Sequence, residues 1–323
     1  MRAIRIAHHG GPEVMALVDV AEPAPGPSEI RVRHHAIGVN FIDTYHRTGL
    51  YKITLPSGLG LEAAGVVDAI GEDVTRFKRG DRAAYCSGPL GAYAECNAVH
   101  EGRAVRLPDA ISYDTAAAAL LKGLTARYLL RKTFRVERGH WVLIHAAAGG
   151  VGQLLVQWAK HLGAHVIGTV GSDAKAEIAR ALGADHALVI GGDENFAPRV
   201  RAIVGEGVHV VFDGVGKNTW EGSFDSLRPL GMMVSYGNAS GPVPPISPLV
   251  LSQKGSLFLT RPTLFHYTAT TEQLDETATD LFDVMEHGAV KIAPPKPYAL
   301  AEAARAHADL EARKTTGSLV LKP

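Results

Sequence analysis

"HAAAGGVGQ", His145 to Gln153, stands between the apolar run "WVLI" (141–144) and the helix-like "LLVQWAKHLGA" (154–164). Its glycines leave the backbone bare at the joint between a buried strand and a helix. Aligned to the dinucleotide fingerprint GxGxxG, Ala147 takes the first glycine position, Gly149 the second and Gly152 the third. The second must lack a side chain so that amides at the helix N-terminus can approach a pyrophosphate. The third lets the helix pack close on the strand. No Gly-Lys-Ser/Thr follows, which excludes a P-loop. A strand before, a helix after and another strand at βαβ distance mark a nucleotide-binding joint.

The end of the next strand bears on which nucleotide. Sheets that prefer NAD carry Asp or Glu about 20 residues past the second glycine. Here that place is Val170, 21 residues past Gly149, in "GTVGSDAK". Gly171 and Ser172 open the following helix and Lys175 lies in its first turn. A small donor, helix amides and an ammonium suit the 2′-phosphate of NADP, while Asp173 stands either where a ribose acid would sit or as a helix cap. The expected cofactor is NADPH.

The chain has 323 residues, 46 % apolar and 20 % charged, with zero formal net charge. Its length favours two domains. Its charge balance carries no electrostatic footprint for nucleic acid or an anionic membrane. No apolar run approaches the ~18 residues that span a bilayer. Cys86 and Cys96 are the only cysteines, which excludes a disulfide scaffold and points to a reduced, cytoplasmic protein.

Two textures divide the chain. Up to about residue 120, short alternating segments ("EIRVRHHAIGV", "AAGVVDAIG", "DRAAYC") are punctuated by Gly and Pro, as in small twisted β units. Beyond Ser112 a helical stretch, "TAAAALLKGLTARYLLRK", leads into strand–helix alternation. "WVLI", "HVIGTV", "ALVI", "VHVVFDGV", "MMVSYG" and "SLFLT" supply six strands, which predicts an α/β, doubly wound parallel sheet. Two further helices, "TEQLDETATDLFDVMEHG" and "LAEAARAHADLEA", and a last strand, "GSLVLK", follow Pro262. "GPVPPISP" (241–248) reads as a loop.

"NFIDTYHRTGLY" (40–51), "LPSGLGLEAAGVV" (55–67), "LKGLTA" (121–126), "HAAAGGVG", "GNASG" and "QKGSLFLTRP" together resemble the zinc-free quinone oxidoreductases, the zeta-crystallin-like branch of the medium-chain dehydrogenase/reductase superfamily. The resemblance runs end to end. It implies a GroES-like, mostly-β N-terminal domain (1–122) that cradles substrate, and a Rossmann NADPH-binding domain (123–262) with a parallel six-stranded sheet. A return segment (263–323) would pack on the N-terminal domain. It also implies NADPH-dependent reduction of quinones by a homodimer.

Relatives that use zinc carry Cys in the first motif and Gly-His-Glu in the second. Asn40 stands at the Cys position and Leu61 at the His position before Glu62. An amide and an alkyl chain cannot hold Zn²⁺, which takes thiolate or imidazole. Among 15 histidines, His8/His9 and His34/His35 are adjacent pairs that point to opposite faces of a strand. No metal is expected.

Tyr45 and Tyr51 are the candidates to orient or protonate a quinone oxygen, with Asn40 hydrogen-bonding cofactor or substrate. Lys122 and Thr125 are candidates to reach the nicotinamide ribose or the phosphates. The resemblance adds cofactor contacts at Phe41, Ile42, Asp43, Tyr45, Tyr128, Gly150 and Val151. It adds Gly171, Ser172 and Lys175, then Tyr236, Gly237, Asn238, Ala239, Leu259, Thr260 and Arg261. Relatives often carry Tyr at the end of the third Rossmann strand. This chain reads "LVIGGDEN" (188–195) there, so Lys175 carries more of the 2′-phosphate recognition.

Two rival readings stand beside this one. An NADPH-dependent alkenal or enone double-bond reductase shares the hydride donor but needs its proton on carbon. A non-enzymatic crystallin-like or RNA-binding protein is opposed by the intact glycine loop and by zero net charge.

Overall fold

The computed structural model describes residues 1–191 and 195–323, so part of the "LVIGGDEN" stretch lies outside the described residues. One unit comprises Met1–Lys122, Thr268–Glu286 and Ile292–Pro323, the other Gly123–Tyr267 and His287–Lys291. Residues 263–267 and 287–291 of the return segment therefore group with the second unit.

The first unit is built around one long strand. β1 (Arg2–Ile6) and β2 (Ala16–Asp19) precede β3 (Glu29–Val39), and α1 (Phe41–Thr48) follows it directly. β4 (Ser57–Gly58), β5 (Glu62–Ile70), β6 (Arg82–Tyr85), β7 (Cys96–His100) and β8 (Ala104–Arg106) complete the N-terminal part. Ile30, Val32 and His34 alternate inward along β3, and the last four residues of the strand are all buried. Such alternation is the period-two signature of a sheet with one face on a core. β3 pairs antiparallel with both β5 and β7, and its register against β5 shifts between Arg31 and Val32 and again between His34 and Ala36. Such irregularities bend the strand and re-aim the residues beyond them, Val39 and Asn40 among them.

α2 (Tyr113–Tyr128) contains the boundary between the units, after Lys122. Its last turn loosens into a π-turn, Leu129–Thr133, closed by the Phe134 N–H on the Leu129 carbonyl. The second unit then alternates: β9 (Trp141–Ile144), α3 (Gly150–His161), β10 (His165–Val170), α4 (Asp173–Ala181) and β11 (His186–Val189). α5 (Ala197–Val204), β12 (Val208–Asp213), α6 (Trp220–Asp225), β13 (Leu227–Ser235), α7 (Leu249–Gln253), β14 (Phe258–Thr260) and α8 (Leu264–Tyr267) follow. Among the described residues the sheet has six strands in the order β11-β10-β9-β12-β13-β14, every pairing parallel. This is the doubly wound order, whose strand direction of growth reverses between β9 and β12. Leu143, Ile167, Val211 and Met233 lie fully buried in these strands, consistent with a sheet covered on both faces. The loop 241–248 is anchored to this core by Val243 and Ile246.

The return begins with α9 (Thr271–Glu286) and ends in β15 (Lys296–Ala299), α10 (Ala303–Glu311) and β16 (Leu319–Lys322). β16 pairs antiparallel with β3 and parallel with β15, so the C-terminus completes the seven-stranded sheet of the first unit. Tyr298, Leu300, Leu319 and Leu321 join Ile30, Val32 and Ile37 in its core.

Candidate functional site

In the second unit the fingerprint forms a tight joint. Ala146 turns into the left-handed region at φ 50°, an unusual conformation for a residue with a Cβ. Its carbonyl accepts the Gly149 N–H at 2.8 Å, and α3 starts at Gly150 with Gly149 as N-cap. A Cβ at Gly152 would sit 2.2 Å from the Ala146 carbonyl oxygen, so glycine is required there for helix and strand to meet. A Cβ at Gly149 would meet that same oxygen at only 3.1 Å, and its remaining neighbour within 4 Å is the Ala146 Cβ. Fold packing thus explains Gly152 but only partly explains Gly149, and Gly150 and Val151 lie in the first turn of α3, where amides have no partner within the helix.

At the end of β10, Gly171 has nothing within 4 Å of where its Cβ would be, and Ser172 is the N-cap of α4 with no side-chain capping bond. Lys175 lies half-buried in the first turn of that helix. Open backbone and a hydroxyl therefore meet at the N-terminus of a nine-residue helix that carries Lys175 in its first turn. Further along the same unit, Tyr236 covers Gly214, and Gly237 approaches that glycine closely, so both loops need the missing side chains. Arg261 braces this segment by donating to the Ser235 carbonyl at 3.0 Å and the Gly237 carbonyl at 2.9 Å. Asn238 and Ala239 continue that loop, while Leu259 and Thr260 lie on β14. On α2, Thr125 and Tyr128 are both buried, and the Tyr128 ring stacks on Tyr267 at 4.5 Å.

In the first unit, α1 opens at Asn40. The Asn40 backbone N–H donates to Asp43 Oδ2 at 2.8 Å, and the Asn40 amide donates to Glu62 Oε2 at 2.7 Å. Glu62 is wholly buried and also accepts the Leu121 N–H at 2.7 Å, with the Lys122 ammonium 3.7 Å away. Burial pushes the Glu62 carboxyl up, and Lys122 and Asn40 pull against that. The set at this place is an amide, an alkyl chain, one carboxylate and an ammonium, which does not fit zinc. Among the described residues no group of three His, Cys, Asp or Glu side chains could hold a metal ion.

Tyr45 and Tyr51 do come together, edge to face at 5.2 Å, with the Tyr51 N–H donating to the Tyr45 carbonyl at 3.1 Å. Phe41 and Ile42 are half-buried at the head of the same helix. Asp43, by contrast, turns its side chain into the protein. It is fully buried, accepts the Tyr93 hydroxyl at 2.9 Å, and burial raises its pKa to about 7. Tyr93 in turn meets His307 Nε2 at 2.9 Å, and His307 Nδ1 lies 3.0 Å from the buried Arg47 guanidinium. The Asp43 backbone N–H donates to the Asn40 carbonyl at 3.0 Å, and the residue as a whole has no exposed surface.

Sequence reasoning missed Glu62 as the hub of the Asn40–Lys122 cluster, Asp43 as part of a chain reaching α10, and Ala146 as the strained residue of the fingerprint. Asn40 followed three residues later by Asp43 was a capping pattern that could have located the start of α1.

Residues 150–283 match the family described as zinc-binding dehydrogenase, and residues 26–138 match the alcohol dehydrogenase GroES-like domain. The chain is 53 % identical to the quinone oxidoreductase of Pseudomonas aeruginosa, over 100 % of this chain and 99 % of the relative. It is 44 % identical to a 2-haloacrylate reductase of a Burkholderia species, over 97 % of this chain and 96 % of the relative. Among solved structures it is similar to the Escherichia coli quinone oxidoreductase complexed with NADPH, with a TM-score of 0.98, 46 % identity and complete coverage of both chains.

Proposed function

Because the chain belongs to the quinone oxidoreductase family of the medium-chain dehydrogenase/reductase superfamily, we propose that it is an NADPH-dependent reductase of quinones. The observation that carries this reading is the pair of helix N-termini at Gly149 and Ser172, one bare for a pyrophosphate and one joined by Lys175 for a 2′-phosphate. Bound there, NADPH supplies a hydride at nicotinamide C4.

The chain's own residues bind and orient. The bare backbone at Gly149 leaves room for the pyrophosphate, the amides of Gly150, Val151 and Gly152 hold it, and Gly171, Ser172 and Lys175 hold the 2′-phosphate. Lys122, Thr125 and Tyr128, with Tyr236 to Ala239, Leu259, Thr260 and Arg261, complete the nucleotide contacts. Phe41 and Ile42, half-buried at the head of α1, join them. Tyr45 and Tyr51 orient the quinone and hold a proton at its oxygen, and Asn40 offers its amide oxygen to the cofactor or the substrate. The reaction is zinc-free in this reading. Asn40 and Leu61 supply no ligand of the required kind, and the positive charge beside Glu62 is the Lys122 ammonium.

A steady-state screen of benzoquinone and naphthoquinone against 2-haloacrylates and enones, with NADPH and NADH in parallel, tests the reading. Quinones with NADPH should give the highest kcat/KM. The 2-haloacrylate reductase among its relatives supports a conjugated double bond as the second reading, and preference for the acrylate would establish that one instead.

A homodimer and a cytoplasmic location belong to the same proposal. β14 ends the sheet with one paired neighbour, and Phe258 on it is 55 % exposed, as a strand edge awaiting a partner would be. Phe258→Asp should shift the sedimenting species from dimer to monomer; a wild-type protein already monomeric at micromolar concentration refutes the dimer. Cys86 and Cys96 are both free and buried, which suits a reducing compartment. No helix among the described residues is long and apolar enough to cross a membrane.

A further inference from the structure

His145, which precedes the glycine loop, contacts neither the pyrophosphate amides nor the 2′-phosphate group of residues assigned above. His145 is completely buried at the end of β9, and both of its ring nitrogens are engaged. Nδ1 lies 2.7 Å from Thr169 Oγ1 on β10, and Nε2 lies 2.9 Å from Ser223 Oγ on α6. Ser223 Oγ spends its one proton on the Thr219 carbonyl at 2.6 Å. The ring therefore donates from Nε2 to Ser223 and accepts at Nδ1 from Thr169. Burial lowers the His145 pKa and keeps the ring neutral, as this arrangement requires. Ser223 Oγ also lies 3.3 Å from Asp213 Oδ2 at the end of β12, and that carboxylate collects the Val215 and Gly216 amides at 2.7 and 2.9 Å. The imidazole thus joins the end of β10 to α6, while the His145 backbone N–H donates to the Phe212 carbonyl on β12 at 3.1 Å.

The residue that follows it is the strained one. Ala146, at φ 50°, is held left-handed although glycine is the residue that takes this region without cost. Its carbonyl caps the start of α3 and fills the space above Gly152, so the path of the glycine loop depends on that conformation. Strain of this kind persists only where the surroundings over-determine it.

We propose that His145 is a positioning residue of the nucleotide site: its two side-chain bonds hold Ala146 left-handed and thereby set the glycine loop for the pyrophosphate. The inference rests on the cofactor assignment above and deepens it.

The test is titration of NADPH and NADH, by nucleotide fluorescence, onto wild type, His145→Ala, and His145→Ala combined with Ala146→Gly. His145→Ala should weaken both nucleotides by the same factor, about tenfold, equivalent to about 1.4 kcal/mol, because the pyrophosphate is common to both. The quinone KM should stay within about twofold in the same variant, since the quinone does not rest on the glycine loop. Glycine at 146 reaches the left-handed region without an anchor, so the double variant should recover to within about threefold of wild type. If His145→Ala does not fold, Thr169→Val and Ser223→Ala each break one bond and should each weaken both nucleotides about threefold. Unchanged affinity in folded variants overturns the proposal, and so does a loss confined to NADPH or a double variant no better than the single. Wild-type protein that binds neither nucleotide overturns the cofactor assignment itself, an outcome distinct from all of these.

Discussion

At the scale of single residues, the choice between NADPH and NADH is proposed to rest on Lys175, because Val170 offers no carboxylate to a ribose. A charge-assisted contact to a 2′-phosphate contributes about 1.5–3 kcal/mol. Lys175→Ala should therefore raise the KM for NADPH roughly ten- to a hundredfold and leave NADH nearly unchanged. Equal weakening of the two nucleotides would make Lys175 a structural residue of α4. Gly149, Gly152, Ser172 and Lys175 were legible in the sequence because bare backbone and a cation at a helix start have a direct chemical meaning. His145 and Ala146 were not. A left-handed alanine leaves no mark in residue type, and a histidine between a buried strand and a glycine loop reads the same whether it is anchored or idle. Asp43 misled for a related reason. Its motif predicts a ligand contact, yet its carboxylate is spent on Asn40 and Tyr93, and Tyr93 lies 50 residues away in sequence.

At the scale of elements, the two glycines of the joint separate binding from folding. Gly149→Val should yield a folded protein that no longer binds NADPH, since within 4 Å its Cβ meets only the Ala146 carbonyl oxygen at 3.1 Å and the Ala146 Cβ, while the branch lies at the proposed place of the pyrophosphate. Gly152→Val should lower the melting temperature as well, because its Cβ collides with the Ala146 backbone. Thermal melts and NADPH titrations on both variants check this; equal melting temperatures for the two would contradict the assignment of roles. The parallel strands were readable because strands buried on both faces appear as apolar runs, and β9, β10 and β12 have little else. The bulged register of β3 was hidden, since an irregular pairing depends on the partner strand and not on the residues of β3. The π-turn after Tyr128 was hidden too, being decided by how the helix must end.

At the scale of the whole molecule, the alternation of textures forecast two units, and the chain does divide at Lys122 inside one continuous helix. What texture could not convey is how far the return reaches. β16 closes the sheet of the first unit beside β3, and His307 on α10 touches Tyr93, 214 residues earlier. The whole assembly is proposed to move a hydride from NADPH to a quinone without a metal. Metal-free transfer is tested most directly by exhaustive chelation, elemental analysis of the chelated protein, and one rapid mixing of that protein with NADPH and benzoquinone. The expected result is no stoichiometric zinc and one NADPH oxidised per quinone reduced, at the rate of untreated enzyme. One zinc per chain, lost on chelation together with the turnover and restored with it, would contradict the account at its centre.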